Sequence, residues 1–330
     1  MARRARTRCA PTTAALLAAA LAASVAAGCT TGNGPSDDGR GADPSREQEE
    51  PKPAQSPASG GSVLAVKIDN ARAARPHTGL DSADVVYAEQ VEGGLSRLMA
   101  VYATKLPKAV GPVRSARESD LELLRQFDQP TLAFSGAQSK LMPLINKAPL
   151  NVQTPDQTSG AYYRGTDKPS PHNLYLRPGK LMPSAPGADA LTTGFRYGTA
   201  PTGGKAEAAR TVRYPAARFT FTWSESRDRW LVSMDGTATE TADGKRVAAA
   251  TVVVQYVTIR KSAYHDFLGN NTPYTETVGS GKAKVLRDGR AYDVNWEREK
   301  ATDGTEFTTN DGTPVNFAKG QVWVVYAKAS

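Results

Sequence analysis

The chain has 330 residues and carries 41 lysines and arginines against 33 aspartates and glutamates, which gives a formal net charge of +8 at pH 7. Both cysteines, Cys9 and Cys29, lie near the N-terminus, so the rest of the chain has no thiol for disulfides, thiolate catalysis or metal binding. The lysines and arginines do not form a stripe interleaved with aromatic residues, and we therefore expect no nucleic-acid partner.

The first 28 residues have the layout of a secretory signal peptide. Four arginines precede an apolar run from Ala14 to Ala27, and this run is shorter than the ~20 residues that a membrane-spanning helix needs. The run ends in "VAAGC", which resembles a bacterial lipobox, where the cysteine is lipidated and becomes the mature N-terminus. We predict a signal peptide over residues 1–28 and a lipid on Cys29 that anchors the protein to the outer face of the cytoplasmic membrane. An ordinary signal peptide with a chance cysteine is the alternative.

Residues 29–61 contain no aromatic residue and no valine, isoleucine or leucine. Such a segment cannot bury enough apolar surface to offset the entropy lost on ordering, and we predict a disordered tether. The segment carries three more acids than bases, whereas residues 1–28 carry four arginines and no acid, which leaves +7 on residues 62–330. A basic folded part outside the cell favours an anionic neighbour, such as lipid headgroups, wall polymers or phosphorylated intermediates.

Residues 62–198 alternate short apolar runs with helical patterns. The apolar runs are rich in β-branched or aromatic residues and predict strands at residues 62–68, 83–91, 97–103 and 130–136. Ser119 and Glu122 have the spacing of a capping box and predict a helix between the third and fourth strands. A second helix is predicted over residues 139–147. This alternation predicts an α/β layer domain.

Residues 210–330 have a different pattern, because alternating apolar runs are separated by Asp-Gly pairs at residues 235–236, 243–244, 288–289, 303–304 and 311–312. An Asp-Gly pair between two such runs is a strong hairpin signal. The strands are predicted at residues 218–223, 229–234, 249–259, 281–288, 290–296 and 320–327. Residues 199–209 form the predicted linker between the two parts. The predicted fold class is therefore α+β, with an N-terminal α/β layer domain followed by a mostly antiparallel β domain.

The stretch "GPVRSARESD" places Arg114 and Arg117 between a Gly-Pro turn and the start of the first predicted helix. Backbone N–H groups at a helix start favour an anion, and arginines there add to the positive potential. A guanidinium group can bind phosphate or carboxylate with two parallel hydrogen bonds. We therefore predict an anion site at Arg114, Ser115 and Arg117. Pairing of the two arginines with Glu118 or Asp120 is the alternative.

Two further polar segments contain candidate ligand-binding residues. The loop "YYRGTDKPSPHNLY" holds Arg164, His172 and Asn173, and long polar loops on an ordered scaffold often bind ligands. His172 can act as an acid or base, although a lone loop histidine is more often structural. The segment "KIDNARAARPHTGL" places Arg75 and His77 after the first predicted strand, where ligands bind in α/β layers, but an Asx turn also explains its start.

The sequence has no GxSxG, HExxH, P-loop or GxGxxG motif. The three histidines are too scattered to predict a metal site, and we expect no cofactor for a binding protein. In an enzyme, acids near the predicted anion site can hold Mg²⁺ beside a diphosphate. The candidates are Asp69, Glu89, Glu92 and Asp120. The alternative is that these acids are solvated or form salt bridges.

Several long motifs resemble those of the YerB-like bacterial lipoproteins, a family with two domains of unknown function. The motifs are "VKIDNARAARPHTGL", "VVYAEQVEGGLSRLMAVY", "GPVRSAR", "PHNLY", "VVVQYV", "GSGKAKVLRDGR" and "GQVWVVY". The resemblance covers nearly all of residues 62–326. It implies two domains and a lipoprotein anchor, but no established reaction.

The stretch "SRLMAVYATKLPKAVGPVRSARESD" is also similar to the core of the LytR-CpsA-Psr phosphotransferases, which attach glycopolymers to the cell wall. That resemblance implies that Arg97, Arg114 and Arg117 hold a polyprenyl diphosphate and that Asp69 or Glu92 holds Mg²⁺. The expected "R-D-T" of that family stands here as "R-S-A-R". The sequence also shows no long helical segment for a lipid.

Three hypotheses about function follow from these patterns. The first, which we favour, is an anchored extracytoplasmic protein that binds an acidic or phosphorylated envelope component through Arg97, Arg114, Arg117 and the His172 loop. The second is a glycopolymer phosphotransferase or phosphodiesterase that uses the same site with Mg²⁺. The third is an interaction module of a membrane complex, in which an edge strand of the β domain binds a protein partner.

Overall fold

The computed structural model of the chain describes residues 61–266 and 269–330. The predicted signal peptide, Cys29 and nearly all of the predicted tether lie outside these residues. Within the described part, no helix combines the length and the apolar character that crossing a membrane requires.

Strands dominate the described residues. The first eight are β1 Leu64–Asp69, β2 Val85–Gln90, β3 Ser96–Tyr102, β4 Thr131–Ala133, β5 Asn151–Gln153, β6 Tyr162–Arg164, β7 Leu174–Leu176 and β8 Arg196–Tyr197. The next seven are β9 Lys205–Ala206, β10 Ala209–Tyr214, β11 Ala217–Ser224, β12 Arg229–Met234, β13 Thr237–Ala238, β14 Ala248–Ala249 and β15 Thr251–Val257. The last seven are β16 Ile259–His265, β17 Asn271–Thr275, β18 Gly279–Arg287, β19 Arg290–Arg298, β20 Glu306–Thr308, β21 Asn316–Phe317 and β22 Val322–Lys328.

Two short α-helices accompany these strands. They are α1 Glu118–Leu124 and α2 Met142–Lys147. Single 3₁₀ turns occur at Arg72–Ala74, Leu80–Ser82, Glu92–Gly94, Ser159–Ala161, Pro178–Lys180 and Ala188–Ala190.

Strands from both halves of the chain form one large sheet. Its order in the described residues is β20-β19-β18-β15-β22-β2-β3-β1-β4-β5, with β9 also pairing with β19. The last strand, β22, pairs in parallel with β15 and with β2, so it joins the two halves at the centre of the sheet. The predicted linker, residues 199–209, contains β9, which pairs with β19 of this sheet. The predicted domain boundaries stay a prediction.

A second, antiparallel sheet covers one face of the large sheet. It has the order β10-β11-β12-β13, with β14 also pairing with β12. Its Phe219, Phe221 and Trp230 pack with Val66 and Trp323 of the large sheet. On the opposite face, α1 and α2 pack against the large sheet, and this second core contains Ala65, Leu124, Phe127, Ile145 and Val324.

Burial on both faces explains the continuous apolar runs of the central strands. Side chains alternate between the two faces of a strand, and all six residues of β1 are buried. Leu64, Val66 and Ile68 belong to the core beneath the second sheet, whereas Ala65 belongs to the core beneath the helices. Lys67 and Asp69 share the face of Ala65, so their charges lie inside the molecule.

Most predicted strands have counterparts in the structure, and two predicted hairpins are confirmed. Asp235-Gly236 and Asp288-Gly289 both have positive φ, at 53° and 89° and at 51° and 68°, as a tight two-residue turn requires. The structure is mostly β. The finer division into an α/β layer domain and a β domain stays a prediction.

The predicted start of the first helix is wrong by two residues. Its N-cap is Arg117, whose backbone N–H donates to Asp120 Oδ2 at 2.7 Å, so Ser119 and Glu122 do not form the capping box. The acid three residues beyond the N-cap determines the start, because it accepts an N–H that the helix itself leaves unpaired. The second helix begins at Met142, not at Ser139.

Candidate functional site

A row of charged side chains crosses three central strands of the large sheet. Arg97 of β3 lies opposite Asp69 of β1 on one side and opposite Glu89 of β2 on the other. All three are buried. Charged groups in a protein interior must be paired, and side chains directly opposite in a sheet are close enough to pair. The row lies where β1 and β2 end.

The "GPVRSAR" segment lies beside this row because its backbone extends the sheet. Asp69 N donates to Pro112 O at 2.9 Å, and Arg114 N donates to Lys67 O at 2.8 Å. Ser135 N, just beyond β4, donates to Arg114 O at 3.0 Å. These bonds hold Arg114 between the ends of β1 and β4.

Asp69 is the centre of the site. Its Oδ1 lies 3.3 Å from Arg97 Nη1 and accepts from Ala71 N at 3.1 Å. Its Oδ2 lies 2.8 Å from His172 Nδ1 and 3.4 Å from Arg114 Nε. Burial disfavours the charged carboxylate, but Arg97, the Ala71 N–H and His172 more than offset that effect and hold the pKa of Asp69 below its ordinary value.

Glu92 and Arg117 form a second pair beside Asp69. Arg117 donates from Nε to Glu92 Oε1 at 2.7 Å and from Nη2 to Glu92 Oε2 at 2.8 Å, and Thr272 Oγ1 of β17 donates to Oε1 at 2.6 Å. Burial raises the pKa of Glu92, but Arg117 and Thr272 lower it by a larger amount, so the pKa lies below its ordinary value. Both oxygens of this Mg²⁺ candidate are therefore occupied by protein donors.

A fully buried lysine lies behind the arginines. Lys67 Nζ contacts Glu89 Oε1 and lies 2.6 Å from Asp120 Oδ1, and Ser119 Oγ donates to Glu89 Oε2 at 3.0 Å. Burial lowers the pKa of Lys67, but Asp120 and Glu89 raise it more, so Lys67 stays charged. Burial raises the pKa of Asp120 to about 6 despite Lys67. The cluster fixes α1, which carries Asp120, on the sheet below it.

Two cavities meet at Arg114 and Ser115, which line both of them. The larger cavity has a volume of about 760 Å³ and is also lined by Arg97, Arg117 and Leu95. The smaller cavity has a volume of about 550 Å³ and is lined by serines, prolines and tyrosines together with exposed Arg164. Four of the predicted ligand-binding residues therefore line one cavity.

The structure separates the other candidates from this cavity. Arg75 donates to Asp235 Oδ2 at 2.9 Å and to Asn70 Oδ1 at 3.0 Å. His77 is fully buried, and its Nε2 lies 2.8 Å from Asp69 O. Asn173 and Arg164 bond to each other at 2.8 Å. His172 belongs to the site through Asp69 and lines neither cavity.

Sequence reasoning missed Lys67 and Thr272. A lysine inside the apolar run "VLAVKI" was the available signal, because a lysine on a strand buried on both faces needs a buried acid. Thr272 gave no signal, since it lies 180 residues from its partner Glu92. Among the described residues, no group of three or more histidines, cysteines or acids is arranged to hold a metal ion.

Two family models match most of the chain. The model of "Protein of unknown function (DUF3048) N-terminal domain" matches residues 50–191, and that of the DUF3048 C-terminal domain matches residues 210–324. The chain belongs to this family, and the predicted resemblance to the YerB-like proteins is confirmed.

One relative has both a sequence match and a solved structure. The chain is 23% identical over 278 residues to "Putative lipoprotein YerB" of Bacillus subtilis (strain 168), which covers 79% of this chain and 80% of YerB. The crystal structure of the YerB protein from Bacillus subtilis matches with a TM-score of 0.69 at 20% identity, over 81% of this chain and 91% of that one. The two proteins share a fold.

Proposed function

We propose that this protein is a lipid-anchored extracytoplasmic lipoprotein that binds an anionic or phosphorylated cell-envelope component in the larger cavity, with Arg114 as the central contact. The lipobox-like "VAAGC" and the lipoprotein name of the Bacillus relative support the anchor on Cys29 and the location at the outer face of the cytoplasmic membrane. The cavity residues support the binding of an anion.

The proposal rests on one observation, the partial exposure of the Arg114 side chain and the absence of hydrogen bonds to its guanidinium among the described residues. The side chain is 25% exposed, and its Nε lies 3.4 Å from Asp69 Oδ2. Within the described residues its guanidinium makes no hydrogen bond, whereas Arg117 is bonded through three of its nitrogens. A guanidinium with free donors at a cavity wall can grip a phosphate or carboxylate bidentately.

The neighbouring arginines are already paired with protein carboxylates, which leaves Arg114 as the contact for the anion. Arg97 is held against Asp69 and Arg117 against Glu92. Arg97 Nε is buried and has no hydrogen-bond partner among the described residues. Ser115, at the junction of the two cavities, adds a hydroxyl that can donate to the same anion.

A phosphotransferase or phosphodiesterase is the second candidate, because His172 Nδ1 lies 2.8 Å from Asp69 Oδ2. A carboxylate that orients an imidazole through one ring nitrogen leaves the other nitrogen for proton transfer. The Mg²⁺ of this candidate would have to displace Arg97 or Arg114 from Asp69, or Arg117 from Glu92. That requirement makes the binding function the better supported of the two.

The test is the thermal stability of the predicted mature chain, carrying Cys29→Ser, in the presence of pyrophosphate with and without Mg²⁺. A ligand at 100 times its Kd stabilises the folded state by about 2.7 kcal/mol. We expect this stabilisation to be lost in Arg114→Ala. It should persist in the control Arg164→Ala, which changes an arginine that lines only the smaller cavity.

Three outcomes separate the candidates. Stabilisation that Arg114→Ala abolishes without any need for Mg²⁺ supports binding. Stabilisation that requires Mg²⁺ favours the enzyme, and His172→Gln should then abolish turnover of a prenyl diphosphate. An unchanged melting temperature with pyrophosphate, prenyl diphosphates and teichoic-acid fragments contradicts both.

A further inference from the structure

The outward face of the second sheet carries two arginines directly opposite each other. Arg213 of β10 pairs in register with Arg218 of β11, and both are exposed. Like charges directly opposite in an antiparallel pair are destabilising. Their neighbours along the same face, Thr211 and Thr220, are uncharged and bond to each other at 2.9 Å.

Asp235, which contacts the backbone of Arg218, is already paired with another arginine. Asp235 Oδ2 lies 2.9 Å from Arg75 Nη1, and Asp235 Oδ1 accepts from the backbone N of Arg218 at 2.9 Å. Arg72 lies 4.0 Å from Asp235 with 83% of its side chain exposed. Neither Arg213 nor Arg218 forms an ion pair with any carboxylate of the described residues.

Arg72 and Arg218 both flank Asp235, and together with Arg213 they form an exposed cluster with a net positive charge, here named the arginine face. Within the described part of the chain, none of the three lines a cavity that is lined by Arg114. The exposed residues beside them, Pro215 and Ala216, are small and uncharged. Such an exposed cluster suits an extended anionic surface better than a small molecule.

We propose that the arginine face docks on the anionic lipid headgroups of the membrane that holds the protein's anchor. The charge of the cluster is complementary to phosphate-bearing lipids, and basic side chains near such a surface are attracted within a Debye length. The predicted tether has 33 residues, 29–61, and a flexible chain of that length spans about 30 Å. An anchor that near keeps the membrane at a high effective concentration, so a weak contact is sufficient.

This inference shares only the anchor with the proposed function and does not depend on the cavity. The test therefore uses the predicted mature chain with Cys29→Ser, which cannot be lipidated, and measures cosedimentation with vesicles. One set of vesicles contains equimolar phosphatidylglycerol and phosphatidylcholine, and the other contains phosphatidylcholine alone. Failure of the vesicle test leaves the pyrophosphate test of Arg114 unaffected, and the reverse also holds.

We expect binding to the phosphatidylglycerol vesicles alone and loss of binding at high salt. The double variant Arg213→Gln/Arg218→Gln should bind about 30-fold more weakly, because two cationic side chains leave the anionic surface. The matched control Lys140→Gln/Lys147→Gln removes the same charge from two exposed lysines in or next to α2, on the opposite face of the large sheet, and should bind like the unmodified chain.

A third variant keeps the test valid if the double variant fails to fold. Thr211→Glu adds a carboxylate to the same exposed face, two residues from Arg213, and should also weaken binding while both arginines remain. Equal weakening by the two double variants would show a net-charge effect and overturn the proposal. Binding to a soluble teichoic acid but not to the vesicles would also overturn it.

Discussion

His77 shows how burial changes the role of a residue that the sequence places after a strand. It is fully buried, and its Nε2–H donates to Asp69 O, whereas Nδ1 has no partner among the described residues. Burial lowers the pKa of His77 to about 4. The residue is therefore neutral at physiological pH and supports the backbone at Asp69, without access to a ligand.

The pH dependence of stability tests this role. The folded-state pKa of His77 lies below the unfolded value near 6.5, so between pH 6.5 and pH 4 only the unfolded chain takes up the proton. The stabilisation is complete above pH 6.5 and is lost as the pH falls towards 4. We expect the unmodified chain to lose up to about 3 kcal/mol more than His77→Gln over this range, measured by urea unfolding.

A matched histidine provides the control for that experiment. His265 is exposed, and its Nδ1 lies 3.2 Å from Asp266 O. The variant His265→Gln should follow the pH profile of the unmodified chain, because the exposed His265 side chain does not support the buried backbone at Asp69. If the free energy of unfolding of His77→Gln and of the unmodified chain changed with pH in the same way, His77 would not be buried as a neutral group.

At the scale of elements, Gly111 holds the "GPVRSAR" segment against β7. Its φ is 155°, and a Cβ at this position would lie 2.8 Å from Tyr175 Cδ1 and 2.9 Å from Leu174 O. We expect Gly111→Ala to push the segment away from β7, to lower the free energy of unfolding by roughly 1–3 kcal/mol and to weaken pyrophosphate binding, since Arg114 moves with the segment. Urea unfolding and calorimetric titration measure the two effects.

A glycine in open space is the control at this scale. A Cβ on Gly179 would meet no atom within 4 Å, and its φ is not positive. Gly179→Ala should therefore leave both stability and binding almost unchanged. If the two glycine variants behave alike, the close approach of Gly111 to β7 does not position Arg114.

Element prediction from sequence succeeded where local chemistry decides the conformation. Strand β12 lies at its predicted bounds, and the Asp288-Gly289 turn joins β18 to β19 as predicted, because both signals act within a few residues. The start of α1 was misplaced because an acid three residues beyond Arg117, and not Ser119, supplies the cap. Which of several polar residues caps a helix depends on how the preceding chain enters it.

At the scale of the whole molecule, β22 joins the two family regions. It lies between β15 and β2, and six of its seven residues are buried. We expect residues 62–198 and 210–330, expressed separately, to unfold without a cooperative transition, because each exposes a strand edge that the other half covers. Coexpression should restore a single transition, measured by thermal circular dichroism.

Two independent cooperative transitions for the separate halves would contradict this expectation. The control is a chain cut by a protease between residues 201 and 203, which keeps both halves and should melt as the intact chain does. At the ends of the large sheet, β5 and β20 have three residues each. Such short edge strands give limited support to the third hypothesis, the docking of a protein partner on a strand edge.

The sequence by itself determined most of the central strands, two hairpin turns, the family resemblance and the segment that carries Arg114, because these depend on periodicity and turn chemistry over a few residues. Only the tertiary structure decided which acids meet which bases. Asp69 reaches His172 across 103 residues, and Glu92 reaches Thr272 across 180. No local sequence pattern predicts contacts between residues so far apart along the chain, because the order of strands in the sheet brings them together. The same packing buried His77 and left the Arg114 guanidinium at the wall of a cavity.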